Sequence, residues 1–126
     1  MEAAKVLSLS FSAEKLELRE RALRAHSFEV KSVLSPGQAR YEIEMGHYGI
    51  FLTCAAVPDI VNQDLMNLFR RSCGEDGLII LIEGDGVASK TAYPLAADVR
   101  IPKALDPDGI IQALRERGRA RKASAD

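Results

Sequence analysis

The chain contains no tryptophan and only 6% aromatic residues, and its two cysteines, Cys54 and Cys73, stand 19 positions apart. Two isolated thiols with the scattered His26 and His47 make neither a CxxC pair nor a recognisable metal-ligand set, so structural zinc or an iron centre is not expected, and neither is a disulfide. No apolar run approaches the roughly 18 residues of a membrane span. The start Met1-Glu-Ala-Ala-Lys lacks the basic and then apolar regions of a signal peptide, and a cytoplasmic protein is the expectation. Charge of one sign is lacking as well: 17 Lys and Arg against 18 Asp and Glu leave a net charge of -1, no field to draw the molecule onto nucleic acid or an anionic membrane.

What is there is a regular alternation of apolar strands and amphipathic helices over 126 residues, enough for one domain. That order is the pattern of a parallel α/β sheet. Strands are expected at 5–10, 28–33, 50–54, 78–82 and 97–101. The second alternates apolar and charged residues as an edge strand does, whereas Ile50-Phe-Leu and Leu78-Ile-Ile-Leu-Ile82 run without a polar break, as strands covered on both faces do. A first helix capped near Ser12 would bury Leu16, Leu18, Ala22 and Leu23 and put Glu14, Glu17, Arg19 and Arg21 in water. Ser35-Pro36 opens a second helix that stops by Gly46, burying Ala39, Ile43 and Tyr41. A third covers Gln63–Arg71 and docks through Leu65, Leu68 and Phe69. Between Gly84 and Pro94 only a short or irregular helix fits. Asp106-Pro107 reads as an N-cap and first position of a last helix docked by Ile110, Ile111 and Leu114. The domain spans 1–119, and 120–126 is a basic, frayed end.

Strands ending at Ser10, Cys54, Ile82 and Ile101, Pro58 four residues beyond Cys54, and Lys103 leading into Leu105-Asp-Pro together resemble the receiver domain of bacterial response regulators. The resemblance covers about Lys5 to Gly118. It implies a flavodoxin-like, doubly wound (βα)5 three-layer sandwich with a five-stranded parallel sheet in the order 2-1-3-4-5. It also implies a phosphoacceptor pocket, and there the sequence departs from the family. The acidic pair after the first strand reads Ser10 and Phe11, the acceptor aspartate reads Cys54 (Thr53 if the register slips by one), and the Ser/Thr after the fourth strand reads Ile82 followed by Glu83. Lys103 is retained; Arg100 stands about where the aromatic switch residue does.

Mg²⁺ needs anionic oxygens that Ser, Phe and Cys do not supply, so neither Mg²⁺ nor any other cofactor is expected. Asp59 and Glu83 lie near the rim in sequence, but a rescue by either is disfavoured. Cys54 reads as a space-filling residue more readily than a reactive thiol, since no histidine is placed to act as its base. Lys103 could pair with Asp106. The expected protein is a stand-alone, non-enzymatic receiver-like domain of two-component type. It has lost aspartyl phosphorylation and works through a protein partner or as a homodimer, without nucleic acid or membrane. The resemblance implies a contact face including Tyr93, Arg100, Leu105 and Ile110. Two alternatives stay open: a small-molecule or anion sensor using the pocket at the strand ends, and an active phosphorelay receiver with a non-standard acceptor.

Overall fold

The computed structural model describes residues 5–84 and 96–125. Five parallel strands, β1 (Lys5–Leu9), β2 (Glu29–Val33), β3 (Ile50–Cys54), β4 (Leu78–Ile82) and β5 (Val99–Ile101), form one sheet in the order β2-β1-β3-β4-β5. Four helices are described: α1 (Ala13–Ala25), α2 (Pro36–Met45), α3 (Asp59–Cys73) and α4 (Asp108–Ala125). Right-handed crossovers to either side of β1 put helices on both faces; α1 packs with α4, and α2 with α3. The connection expected to hold a short helix between β4 and β5, Tyr93 included, lies outside the described residues. α4 stays helical across 120–125, the segment expected as a tail.

The local signals act as their chemistry requires. Ser12 Oγ accepts the Lys15 N–H and Ser35 Oγ the Gln38 N–H, satisfying donors at the starts of α1 and α2. Gly46 ends α2 in the left-handed conformation at φ 75°. All five residues of β3 and of β4 are buried. α3 starts four residues earlier and ends two later than expected, because Asp59 and Ile60 already belong to its first turn.

Three burial expectations are overturned. Leu18 is 50% exposed and Tyr41 62%, while Arg19 is 1% exposed. On α1 the inward stripe is Leu16, Arg19 and Leu23, at spacings of three and four; Leu18 lies about 200° around the helix from Leu16 and faces out. A sequence reading that ranks residues by polarity inverts this pair.

Candidate functional site

The C-terminal ends of the strands enclose a cleft of about 450 Å³. β1 delivers Ser10, whose Oγ accepts the Ser12 N–H at 3.1 Å while its own N–H bonds Val33 O. Phe11 follows on the rim, 49% exposed. β3 delivers Cys54, paired in register with Ile82 of β4, and Ala55 and Ala56 continue the floor. Glu83 and Gly84 enter after β4, and Lys103 enters from the 3-10 turn Lys103–Leu105 that precedes α4. Ser10, Phe11, Cys54, Ile82, Glu83 and Lys103 therefore meet in one cleft.

Thr53 does not. Successive strand residues point to opposite faces, and Thr53 donates its hydroxyl to Asn62 Oδ1 at 2.8 Å. Asn62 in turn donates to the carbonyls of Cys54 (3.0 Å) and Val57 (3.2 Å). This fully buried amide fixes the loop at the end of β3, and sequence reading passed over it. A lone Asn in the first turns of an amphipathic helix, three residues past the start of α3, was its only signal. Asp59 is absent from the cleft lining; it opens α3 instead.

Asp106 is not the N-cap that the sequence suggested. Its carboxylate accepts from Arg19 Nε (3.1 Å) and Nη2 (2.9 Å), a two-pronged ion pair almost out of water, and α4 begins two residues later. Arg19 and Lys15 also line the cleft. Among the described lining residues, Lys15, Arg19 and Lys103 are cationic and Glu83 alone is anionic. Of the expected contact face, Arg100 and Leu105 are exposed, but Ile110 is 1% exposed and packed in the core, because it sits on the α4 face turned to the sheet.

A second cleft of about 500 Å³ lies at the opposite end of the sheet, between Phe28, Tyr48, Cys73, Leu114 and Arg117. It is the larger of the two but offers little chemistry. Burial pushes the Cys73 thiol up, only partly offset by Arg70, and Sγ donates to Tyr48 O at 2.8 Å. The Tyr48 hydroxyl is bonded to Glu42 and held well above its ordinary range by burial and that carboxylate.

No protein-family model and no curated protein matches the chain. Solved structures do. A CheY-like response regulator receiver domain protein from Methanospirillum hungatei JF-1 superposes with a TM-score of 0.79 at 17% identity, over 98% of this chain and 99% of that one. The response regulator TrrA from Thermotoga maritima, solved in complex with Mg²⁺ and BeF, gives 0.74 at 18% identity over 92% and 98%. Vibrio cholerae CheY4 gives 0.73 at 15% identity over 90% and 98%. The fold is that of response regulator receiver domains, flavodoxin-like and CheY-like. Among the described residues no helix is long and apolar enough to cross a membrane.

Proposed function

We propose that this chain is a receiver-like signalling domain that does not accept a phosphoryl group on aspartate, is not an enzyme, and acts by binding protein. One observation carries the reading. On a receiver fold, the strand-end cleft presents Ser10, Phe11 and Cys54 where the family resemblance places its carboxylates. Mg²⁺ takes hard anionic oxygens in near-octahedral geometry, and Glu83 beside Lys15, Arg19 and Lys103 is a poor donor set for it. Among the described residues no group of three or more His, Cys, Asp or Glu side chains could hold a metal ion. Phosphoryl transfer relies on metal and fixed charge around an acceptor oxygen, and Cys54 offers a buried sulfur.

Protein binding has support from a relative in fold: TrrA has been solved in complex with the histidine kinase ThkA, and that structure matches this chain with a TM-score of 0.72 at 18% identity. Here the exposed Arg100 and Leu105 sit beside β5 and the start of α4, where a partner or a second copy could contact them.

The test is incubation with acetyl phosphate and Mg²⁺ followed by intact-mass measurement, with amide NMR in beryllofluoride with and without Mg²⁺. No phosphoryl mass gain and no Mg²⁺-dependent shift at Cys54, Ile82 or Lys103 is the expected result. A Mg²⁺-dependent covalent gain, or shifts spreading from Cys54 to Arg100, overturns the proposal.

A further inference from the structure

α2 is built unlike a helix that faces only water. Its buried side is Ala39 and Ile43, which leaves Tyr41 62% exposed and Met45 51%. At 3.6 residues per turn, Gly37 and Met45 flank Tyr41 at about 40° to either side, so all of them share the outward face. Leu34, 49% exposed, adds apolar surface just before the helix, where its N–H donates to Gln38 Oε1 at 3.1 Å. Glycine weakens a helix relative to alanine, and nothing in the chain asks for one at Gly37: a Cβ there would meet only Ser35 Oγ, at 4.0 Å. The charges are set against the helix as well. Arg40 and Glu44 lie on one flank of the apolar stripe, both more than half exposed, and pair at 3.3 Å. Arginine ahead of glutamate is the weaker order, because the base then lies nearer the positive end of the helix dipole and the acid nearer the negative end. The last turn has no base to offset its acids.

An antiparallel copy of the same helix answers each of these features. About a two-fold axis passing beside Tyr41, the two tyrosine rings meet at the centre. Each Met45 then comes opposite the other copy's Gly37, where the missing Cβ leaves room for it. A two-fold of this kind keeps like flanks together, so Arg40 of each copy lies within reach of Glu44 of the other and the ion pair forms twice, with the helix dipoles opposed. A parallel pair would set that flank against the one carrying Gln38 and Glu42, acid toward acid. The charge pattern is thus complementary to itself in one orientation, which selects a second copy over a foreign partner. We propose that the chain forms a two-fold homodimer through the outward face of α2, centred on Tyr41. α2 covers the β1 and β2 half of the sheet, so this surface is remote from Arg100 and Leu105 beside β5, and it does not depend on the state of the strand-end cleft. The ten residues of α2 make a helix about 15 Å long, a small contact, and a dissociation constant on the order of tens of micromolar is expected.

The experiment is sedimentation velocity on the full chain, at concentrations spanning that constant by about tenfold on either side. A reversible monomer–dimer equilibrium is expected, with concentration-dependent amide shifts at Gly37, Tyr41 and Met45. Tyr41→Ala should weaken it roughly tenfold or more. Gly37→Ala should weaken it several-fold while raising the thermal midpoint of the dilute monomer, a split that a purely intramolecular role for this glycine would not give. Arg40→Glu and Glu44→Arg should each weaken self-association roughly tenfold, and the two variants mixed should associate again, since one brings acids and the other bases to the same flank. All of these positions are exposed, and the thermal midpoint tells a misfolded variant from a monomeric one. A monomer at every concentration overturns the proposal. So does a dimer that Tyr41→Ala leaves intact and Arg100→Glu disperses, which puts the contact beside β5. Failure of the mixed variants to associate overturns the antiparallel geometry. None of these results bears on phosphoryl acceptance, which the mass measurement decides alone.

Discussion

Asn62 spends its whole side chain on other groups: its amide oxygen takes the Thr53 hydroxyl and its amide nitrogen holds two carbonyls of the β3–α3 loop. All of these atoms are out of water, so truncation leaves several buried polar groups unserved at once. Asn62→Ala is expected to cost about 3 kcal/mol in urea unfolding, and Thr53→Val, which removes one bond, clearly less. Equal losses for the two would mean the carbonyl bonds contribute nothing. The same scale explains why Cys54, not Thr53, faces the cleft, since strand alternation gives each inward position one residue and Asn62 holds the other. Gly77 is a second residue with a specific reason. A Cβ there would stand 2.9 Å from Cys73 Cβ and from Phe69 Cε2, so Gly77→Ala should lower stability by about 1–3 kcal/mol.

Between elements, the Arg19–Asp106 pair ties α1 to the turn that carries Lys103 into the cleft, across 87 positions of sequence. With the two side chains 2% and 12% exposed, removing one partner strands the other's charge. Asp106→Ala is expected to destabilise by about 3–5 kcal/mol, and Arg19→Met with Asp106→Leu to recover most of that loss, because apolar pairs often replace buried ion pairs at little cost. Denaturant midpoints of the three proteins decide it; a double variant no better than the single one would show that the pair's geometry is itself required. A comparable tie holds β4 to the loop before β5. The Asp98 carboxylate accepts the Ile79 N–H at 2.7 Å and pairs with Arg70 at 2.6 Å, while its backbone N–H donates to Ile79 O at 2.9 Å, just before β5 starts at Val99 rather than Ala97.

For the molecule as a whole, two groups among the described residues couple stability to alkali. Tyr48 and Cys73 are both held above their ordinary values in the folded chain. A group whose proton is held more tightly in the folded state gives a contribution present in full below its unfolded pKa and lost as pH rises toward the folded one. Stability should therefore start to fall above about pH 8.5, where an unfolded thiol ionises, and more steeply above about pH 10, where an unfolded tyrosine does. Cys73→Ala should remove the first onset and Tyr48→Phe the second, both read from thermal midpoints across pH 7–11. Burial also predicts that Cys54 reacts slowly with a thiol reagent until the protein unfolds, and more slowly than the half-buried Cys73.

The amino-acid sequence by itself determined the alternation of strands and helices and the caps at Ser12, Ser35 and Gly46, while the strand order came with the family resemblance. The strands and caps are local facts: a strand's burial is written in its own uninterrupted apolar run, and a cap in the residues of one turn. Tertiary structure decided the burial of Arg19, its union with Asp106, the choice of Cys54 over Thr53 and the meeting of Lys15 with Lys103. For Ile110 it chose between two expectations, a docking residue of the last helix and a member of the contact face, in favour of the first. The physical reason is that a charged side chain's environment depends on partners distant in sequence. Polarity alone sends Arg19 to water. A carboxylate 87 residues later lets the helix turn it inward, and with it the cleft acquires its cationic wall.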